Sequence, residues 1–285
     1  MVRIVTDATV RFPNPEFIKK RNVIITPLTV SCGNNRVQDE PDLDLADVRP
    51  VLESCSSTLS VDTPPVDEFA RVYEQLGTET HQILSIHTSS ALTQSYQRAL
   101  QASKLFRGRM DIQVIDSQSV SIGLGFLVEA SVRAAERGES LDSIVRMVRG
   151  MITRLYMVMF LDDLTFLERN QLVTRSQAIL GNMLGIIPFL TMEEGQLIPM
   201  EKVRNRVRAV EKLIEFVCEF SGLEQLGLMQ GQIRPSEDTL MIHERLHTLY
   251  PATPISRVCY GPTLSAFVGF DSIGAVVLES QGESL

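Results

Sequence analysis

The chain has no run of about 18 apolar residues, the length that a membrane-spanning helix requires. It is short of positive charge: 27 Lys and Arg against 35 Asp and Glu leave a net charge of −8. That balance argues against a dedicated nucleic-acid binder, which carries a basic face or stripe; "KVRNRVR" at 202–208 is a local basic patch only. Cysteine is scarce and scattered. Cys32, Cys55, Cys218 and Cys259 show no CxxC spacing, and Met1 leads straight into the strand-like "VRIVTD" with no signal-peptide pattern. Four reduced thiols in a cytoplasmic protein are therefore expected. Walker-type and G-x-S-x-G motifs are absent, so nucleophilic hydrolysis has no support. There is no internal repeat and no low-complexity segment.

What is present is an ordinary globular composition, 44% hydrophobic and 22% charged over 285 residues, long enough for two domains. The first half alternates strand-like runs at 2–7, 22–30, 82–87 and 111–117 with helical patterns at 66–76, 91–106, 123–137 and 140–155. Such alternation predicts a parallel α/β sheet. The second half reads as mixed α+β, with a strand at 156–161, a hairpin over 186–203, two long helices, and strands near 223–231, 254–260 and 272–280. The boundary falls near 155, giving domains at 1–155 and 156–285. Residues 31–65, rich in Asn, Asp, Pro and Ser, read as the longest loop-like stretch, with a short helical pattern at 44–55. Ile179, Leu180 and Met183 read as core residues, with a ligand-tunnel wall as the other reading.

Three stretches carry candidate chemistry. "HERLH" (243–247) fits H-E-x-x-H, which places two imidazoles on one helix face for zinc with Glu244 as a base. The other reading is an exposed face of an amphipathic helix capped by Ser236. "GLGFLV" (123–128) lacks the third glycine of G-x-G-x-x-G and reads as a tightly packed helix start or a nucleotide loop. "HTSSALTQS" (87–95) crowds hydroxyls from Thr88, Ser89, Ser90, Thr93 and Ser95 at a strand-to-helix junction. Ser89 or Ser90 could be a helix cap. The carboxyl end of a parallel strand beside a helix start is equally where open α/β sheets bind anionic groups.

The order of motifs resembles the DegV family of bacterial fatty-acid-binding proteins, some of which are acyl-carrying subunits of fatty acid kinase. "IVTDAT" (4–9) resembles its I-V-T-D-S-T, "SSALTQSYQRA" (89–99) its S-S-x-L-S-G-T-Y-Q-x-A, and "VIDSQSVSIGLG" (114–125) its V-I-D-S segment with the following G-x-G. "DLTFLERNQLVTRSQAILGNMLGIIPFL" resembles the D-L-x-Y-L-x-x-G-G-R-I stretch, and "EGQLIPMEKVRNR" the G-x-I-x-x-x-x-K-V-R segment. The resemblance implies an N-terminal parallel-sheet α/β domain and a C-terminal α+β domain with a mixed sheet. It implies one long-chain fatty acid or related lipid in a tunnel between them, no cofactor, metal or catalytic residue, and a kinase subunit as partner.

For the head group it implies Ser89, Ser90, Thr93 and Arg204, with Thr63 and Gln94 as secondary contacts. Val61 stands where the first Thr of the family's T-S-x-P-S loop is expected. Phe267 replaces the His of H-x-G-P-G and would line the pocket, Gln94 replaces a glycine, and Leu172 replaces the arginine that serves the kinase. Alternatives are a diverged lipid sensor or scaffold that no longer serves a kinase, and a zinc hydrolase built on "HERLH".

Overall fold

In the computed structural model, residues 1–14, 16–17, 23–55 and 58–281 are described. The run Gln82–His87 is buried at every position after Gln82, the pattern of a parallel strand covered on both faces. It is one of a series. The first half contains β1 (Arg3–Asp7), β2 (Ile24–Thr26), β3 (Leu28–Cys32), β4 (Asn35–Asp39), α1 (Leu45–Glu53), β5 (Ser60–Asp62), α2 (Val66–Leu76) and β6 (Gln82–His87). It continues with α3 (Ser95–Ser103), β7 (Asp111–Asp116), α4 (Ile122–Glu136) and α5 (Leu141–Ile152). The second half contains β8 (Leu155–Phe160), α6 (Thr165–Arg169), α7 (Arg175–Met183), β9 (Ile187–Glu193), β10 (Gln196–Val203) and α8 (Arg206–Cys218). β11 (Leu223–Gln230), α9 (Glu237–Leu249), β12 (Ile255–Cys259), α10 (Pro262–Val268) and β13 (Ile273–Glu279) complete it.

These strands build three sheets. The order β2-β1-β6-β7 is parallel throughout. A mixed six-stranded sheet runs β10-β9-β8-β13-β11-β12, parallel only between β11 and β12. Helix α4 lies between the two, packing on β1 and β6 and on β11 and β13. All of Ile122–Val128 is buried, as a helix apolar on every side must be. The "GLG" at its start is a packing device: a Cβ on Gly125 would stand 1.8 Å from the Arg11 carbonyl oxygen. Residues 117–121, with Gln118 and Ser121 at positive φ, separate α4 from β7. Among the described residues no helix is long and apolar enough to cross a membrane.

The third sheet, β4-β3-β5, corrects the loop-like reading of 31–65. The expected strand at 22–30 splits at Pro27 into β2 and β3, which belong to different sheets; Asn22, and residues 56–57 of the loop-like stretch, lie outside the described residues. This small antiparallel sheet brings the end of β3 to the segment after α1, so Cys32 and Cys55 meet in a disulfide with Cα atoms 5.9 Å apart. The expectation of four reduced cysteines therefore fails for two; Cys218 and Cys259 are free.

Two ion pairs help to tie this sheet and α1 to the second half, the first through the hydrogen bonds of Arg11 to the Cys259 carbonyl and of the Thr263 amide to Asp39. Arg11 and Asp39 are both buried, with Arg11 Nη2 donating to Asp39 Oδ1 at 2.8 Å. Arg49 of α1 grips Asp271 in bidentate fashion at 2.7 and 2.5 Å, which raises the guanidinium and lowers the carboxyl from their ordinary ranges.

Ile179, Leu180 and Met183 are exposed, which corrects the core reading. Only Ala178 and Gly181 of α7 are buried; the apolar spacing is real, but among the described residues no element covers that face.

A disulfide closing a loop of this length stabilises a chain by about 3 kcal/mol. Thiol titration of the denatured, unreduced protein is expected to find two thiols, against four after reduction. Reductant should lower the urea midpoint; four thiols without reductant would contradict the pairing.

Candidate functional site

In the parallel sheet the chain leaves β1 toward β2 on one side, and leaves β6 toward β7 on the other. The loops after β1 and β6 thus diverge, opening the crevice where α/β sheets place ligands. Asp7 ends β1 at this point, fully buried. Its Oδ1 accepts from the Thr9 amide at 3.2 Å, the Thr9 hydroxyl at 2.9 Å and the Thr88 hydroxyl at 2.7 Å. Its Oδ2 accepts from the Thr88 amide at 2.8 Å and lies 3.4 Å from His87 Nδ1.

The polar chain continues inward. His87 Nε2 is 2.7 Å from Ser85 Oγ, which accepts from the Tyr73 hydroxyl at 2.8 Å. With Tyr73 donating, the Ser85 proton goes to Nε2 and leaves the ring proton on Nδ1, which makes no hydrogen bond although Asp7 Oδ2 is 3.4 Å away. Burial pushes the Tyr73 phenol up, keeping it a donor. Burial also acts to raise the Asp7 carboxyl, but His87 and the Thr88 donors outweigh it and hold Asp7 below the usual carboxylate range. A buried carboxylate is tolerated only when satisfied in this way. Asp7 thereby fixes Thr9 and Thr88 in the crevice.

A second hydroxyl group lies one loop further on. Thr63, directly after β5, accepts from the Gln94 amide at 3.3 Å. Thr93 donates to Ser95 Oγ at 3.2 Å and accepts from the Ser95 amide at 3.4 Å. Arg98 Nη2 donates to Gln94 Oε1 at 2.6 Å, while its Nη1 donates to the Thr63 and Pro64 carbonyls. Gln94, in the place of a glycine, thus turns its side chain to a cation one helical turn away. Thr63 is 9% exposed and Thr93 5%.

The remaining expected residues are placed differently. Ser89 donates to the Gly195 carbonyl at 2.6 Å and accepts from the Ala91 amide. It caps no helix: α3 begins after Gln94, without a side-chain cap. Instead Ser89 anchors the turn between β9 and β10, where Gly195 has φ +81° and a Cβ would stand 2.4 Å from Ser89 Oγ. The Ser90 amide donates to both Asp116 carboxylate oxygens at 3.2 and 3.3 Å. Val61 is half-buried in β5, and Phe267 lies on α10, which packs on β3, β4 and β5. Arg204 is exposed beyond the other end of β10, roughly 25 Å along the strand from the turn that Ser89 holds. The structure therefore joins Thr63, Thr93 and Gln94, brings Val61 and Phe267 to the same side, and leaves Arg204 apart.

An open apolar cleft of about 460 Å³ lies beside α7, lined by Leu164, Leu167, Leu180, Leu184, Ile186 and Met200 among others, of which Leu180, Leu184 and Met200 are exposed. In "HERLH" the two imidazole centroids are 6.2 Å apart on α9, and no group of three metal-ligating side chains occurs among the described residues.

The family model "Uncharacterised protein, DegV family" matches residues 1–280. The chain belongs to the DegV family. A DegV domain-containing protein of Caldanaerobacter subterraneus is 30% identical over 275 residues, 96% of this chain and 97% of that one. The fold is similar to that of a fatty acid binding DegV family protein from Streptococcus agalactiae, with TM-score 0.85, 20% identity and 99% of each chain covered. It is also similar to the fatty acid kinase B3 protein of Streptococcus pneumoniae, loaded with linoleic acid, with TM-score 0.82, 18% identity, and 98% and 100% of the chains covered.

Reading this DegV chain by motif missed Asp7, His87 and Arg98. An acid and a histidine at the last positions of two paired strands were visible signals for the first two, because strand ends at a switch point face the crevice.

Asp7→Asn is expected to destabilise the protein by about 3–5 kcal/mol at neutral pH, since buried donors lose their anion. With its folded pKa below the unfolded 3.8, Asp7 contributes stability that is present above that value and lost as pH falls through the folded pKa. The gap between wild type and variant in urea titrations should narrow on acidification. A gap unchanged down to pH 2 would contradict the ionised assignment.

Proposed function

We propose that this DegV protein binds a long-chain fatty acid or a closely related lipid and acts as a carrier, not a catalyst. The observation that carries this reading is Thr93, a buried hydroxyl beside Thr63 at the switch-point crevice of a fold shared end to end with fatty-acid-binding proteins. In this reading Thr63, Thr93 and the Gln94 amide meet the head group, Val61 and Phe267 form the apolar side of its pocket, and Ser89 and Ser90 hold the loop. The open cleft beside α7 supports a place for acyl carbon, at a size usual for small-ligand sites. Methylene burial, at roughly 0.8 kcal/mol each, dominates affinity. We take the site to lie between domains 1–155 and 156–285, in a cytoplasmic protein that would meet a kinase there.

One observation favours a second reading. Leu172 is 38% exposed where the resemblance expects an arginine, so a kinase would find no charge at that point. This supports a sensor or scaffold that binds lipid without presenting it for phosphorylation. Acyl-phosphate formation by a fatty acid kinase in the presence of this protein would exclude that alternative.

Thr93→Val is expected to weaken fatty acid binding about fivefold, the equivalent of one net hydrogen bond. The double variant Val61→Thr with Phe267→His should strengthen binding of the free acid by roughly tenfold or more, with little change for the methyl ester. Calorimetric titration with palmitate and its ester measures both. Equal responses of acid and ester would contradict the head-group assignment.

A further inference from the structure

The six-stranded sheet ends in β12, and among the described residues that edge is open. β12 lies parallel to β11, with Leu226 opposite Ile255 and Gln230 opposite Cys259. The Leu226 amide donates to the Pro254 carbonyl, and the Tyr260 amide to the Gln230 carbonyl. A parallel ladder uses alternate residues, so Pro254, Ser256, Val258 and Tyr260 face β11. The amides and carbonyls of Ile255 and Arg257, with the amide of Cys259, face outward. Among the described residues, on that side only the Cys259 carbonyl is taken, by Arg11 Nε at 3.1 Å.

All five residues of β12 line a cleft of about 610 Å³. Phe12, Leu43 and Ile233 give it apolar surface, and Arg11, Asp42, Gln230 and Gln232 polar surface. Arg257 is exposed in the middle of the strand. None of the ion pairs or side-chain hydrogen bonds of the described residues involves it, although Asp42 lines the same cleft. Its titratable neighbour is His243 of α9, in the same cleft. Burial first, and the Arg257 charge second, lower the imidazole from its ordinary range, so at neutral pH His243 is a neutral hydrogen-bonding group. The Cys259 thiol is pushed up to about 11 by burial; the cleft is equipped to bind, not to react.

An open strand edge is a template for another strand, and the unpaired Arg257 guanidinium at its centre favours an acidic one, by local attraction that acts against the chain's net charge of −8. We infer that the cleft accepts an extended acidic peptide segment of a partner protein as a further strand beside β12. Its backbone pairs with Ile255 and Arg257, and a carboxylate meets the Arg257 guanidinium. Main-chain hydrogen bonds supply affinity in this mode, and alternate side chains supply specificity. β12 and β10 are opposite edges of the sheet, roughly 24 Å apart at the usual strand spacing. Peptide docking therefore leaves the Arg204 end of β10 uncovered.

Fluorescence anisotropy with two labelled heptapeptides tests this, one alternating Val and Glu, the other Val and Lys. Saturable binding of the Glu peptide alone is expected, weakened about tenfold by Arg257→Glu or by N-methylation of alternate peptide amides. Arg257→Ala, a milder change at the same exposed position, should weaken it in the same direction. Amide hydrogen exchange at Ile255 and Arg257 should slow in the complex. No saturable binding, equal binding of both peptides, or an N-methylated peptide that binds as well as its parent would overturn the proposal. The last result together with competition by free glutamate would make the cleft a small-anion pocket instead.

Discussion

The arrangement of this DegV protein depends on one buried ion pair, Arg11 with Asp39. Arg11 Nε donates to the Cys259 carbonyl, its Nη1 to the carbonyls of Ala8 and Val10, and its Nη2 to Asp39. The second Asp39 oxygen accepts from the Thr263 amide at 3.0 Å. Four parts of the chain are thus held to one pair of charges: the loop after β1, the end of β4, the end of β12 and the start of α10. Gly261 is where backbone must pass close, since a Cβ there would stand 1.9 Å from Arg11 Nη2. Such a pair adds little over an apolar replacement of similar volume, but losing one partner leaves a stranded charge worth about 3–5 kcal/mol. Its value is positional. The small sheet that carries Val61 and leads to Thr63, and the helix that carries Phe267, take their places relative to β1 from it.

Polar groups around the crevice follow the same economy. Asp7 is ionised, buried and hydrogen-bonded by Thr9 and Thr88, with His87 close by, so the hydroxyls beside it are set before any ligand arrives. Thr63, Thr93, Ser95 and Arg98 form a separate network through Gln94. Val61 and Phe267 add apolar surface, not donors. In the proposed head-group site, chain burial would outweigh recognition of the carboxylate: a hydrogen bond to a charged group is worth about 1.5–3 kcal/mol, whereas each of many buried methylenes adds about 0.8 kcal/mol.

Much of this was legible in the residues. Strand and helix periodicities in 82–106 and 111–137 were strong enough to predict the parallel sheet, and the hydroxyl crowding after "QILSIH" pointed to its carboxyl edge. The small sheet was not legible. β5 is three residues long, β4 is exposed at three of five positions, and β3 pairs with β5 across nearly thirty residues of chain. Short, polar, non-local strands carry no periodicity to read. The roles of Ser89 and Arg204 were hidden for a related reason: each depends on which end of the β9–β10 hairpin meets the first half of the molecule. Motif order says nothing about that. Ile179, Leu180 and Met183 show the converse, an apolar stripe that spacing assigns to the core and packing leaves outside.

The central claim is that this fold encloses one acyl chain. Native mass spectrometry of the protein purified without detergent, followed by solvent extraction, measures it directly. The account predicts a single adduct of long-chain fatty acid mass at one per chain, released on denaturation and restored by added palmitate. Protein that carries no lipid and takes up none on titration would contradict it.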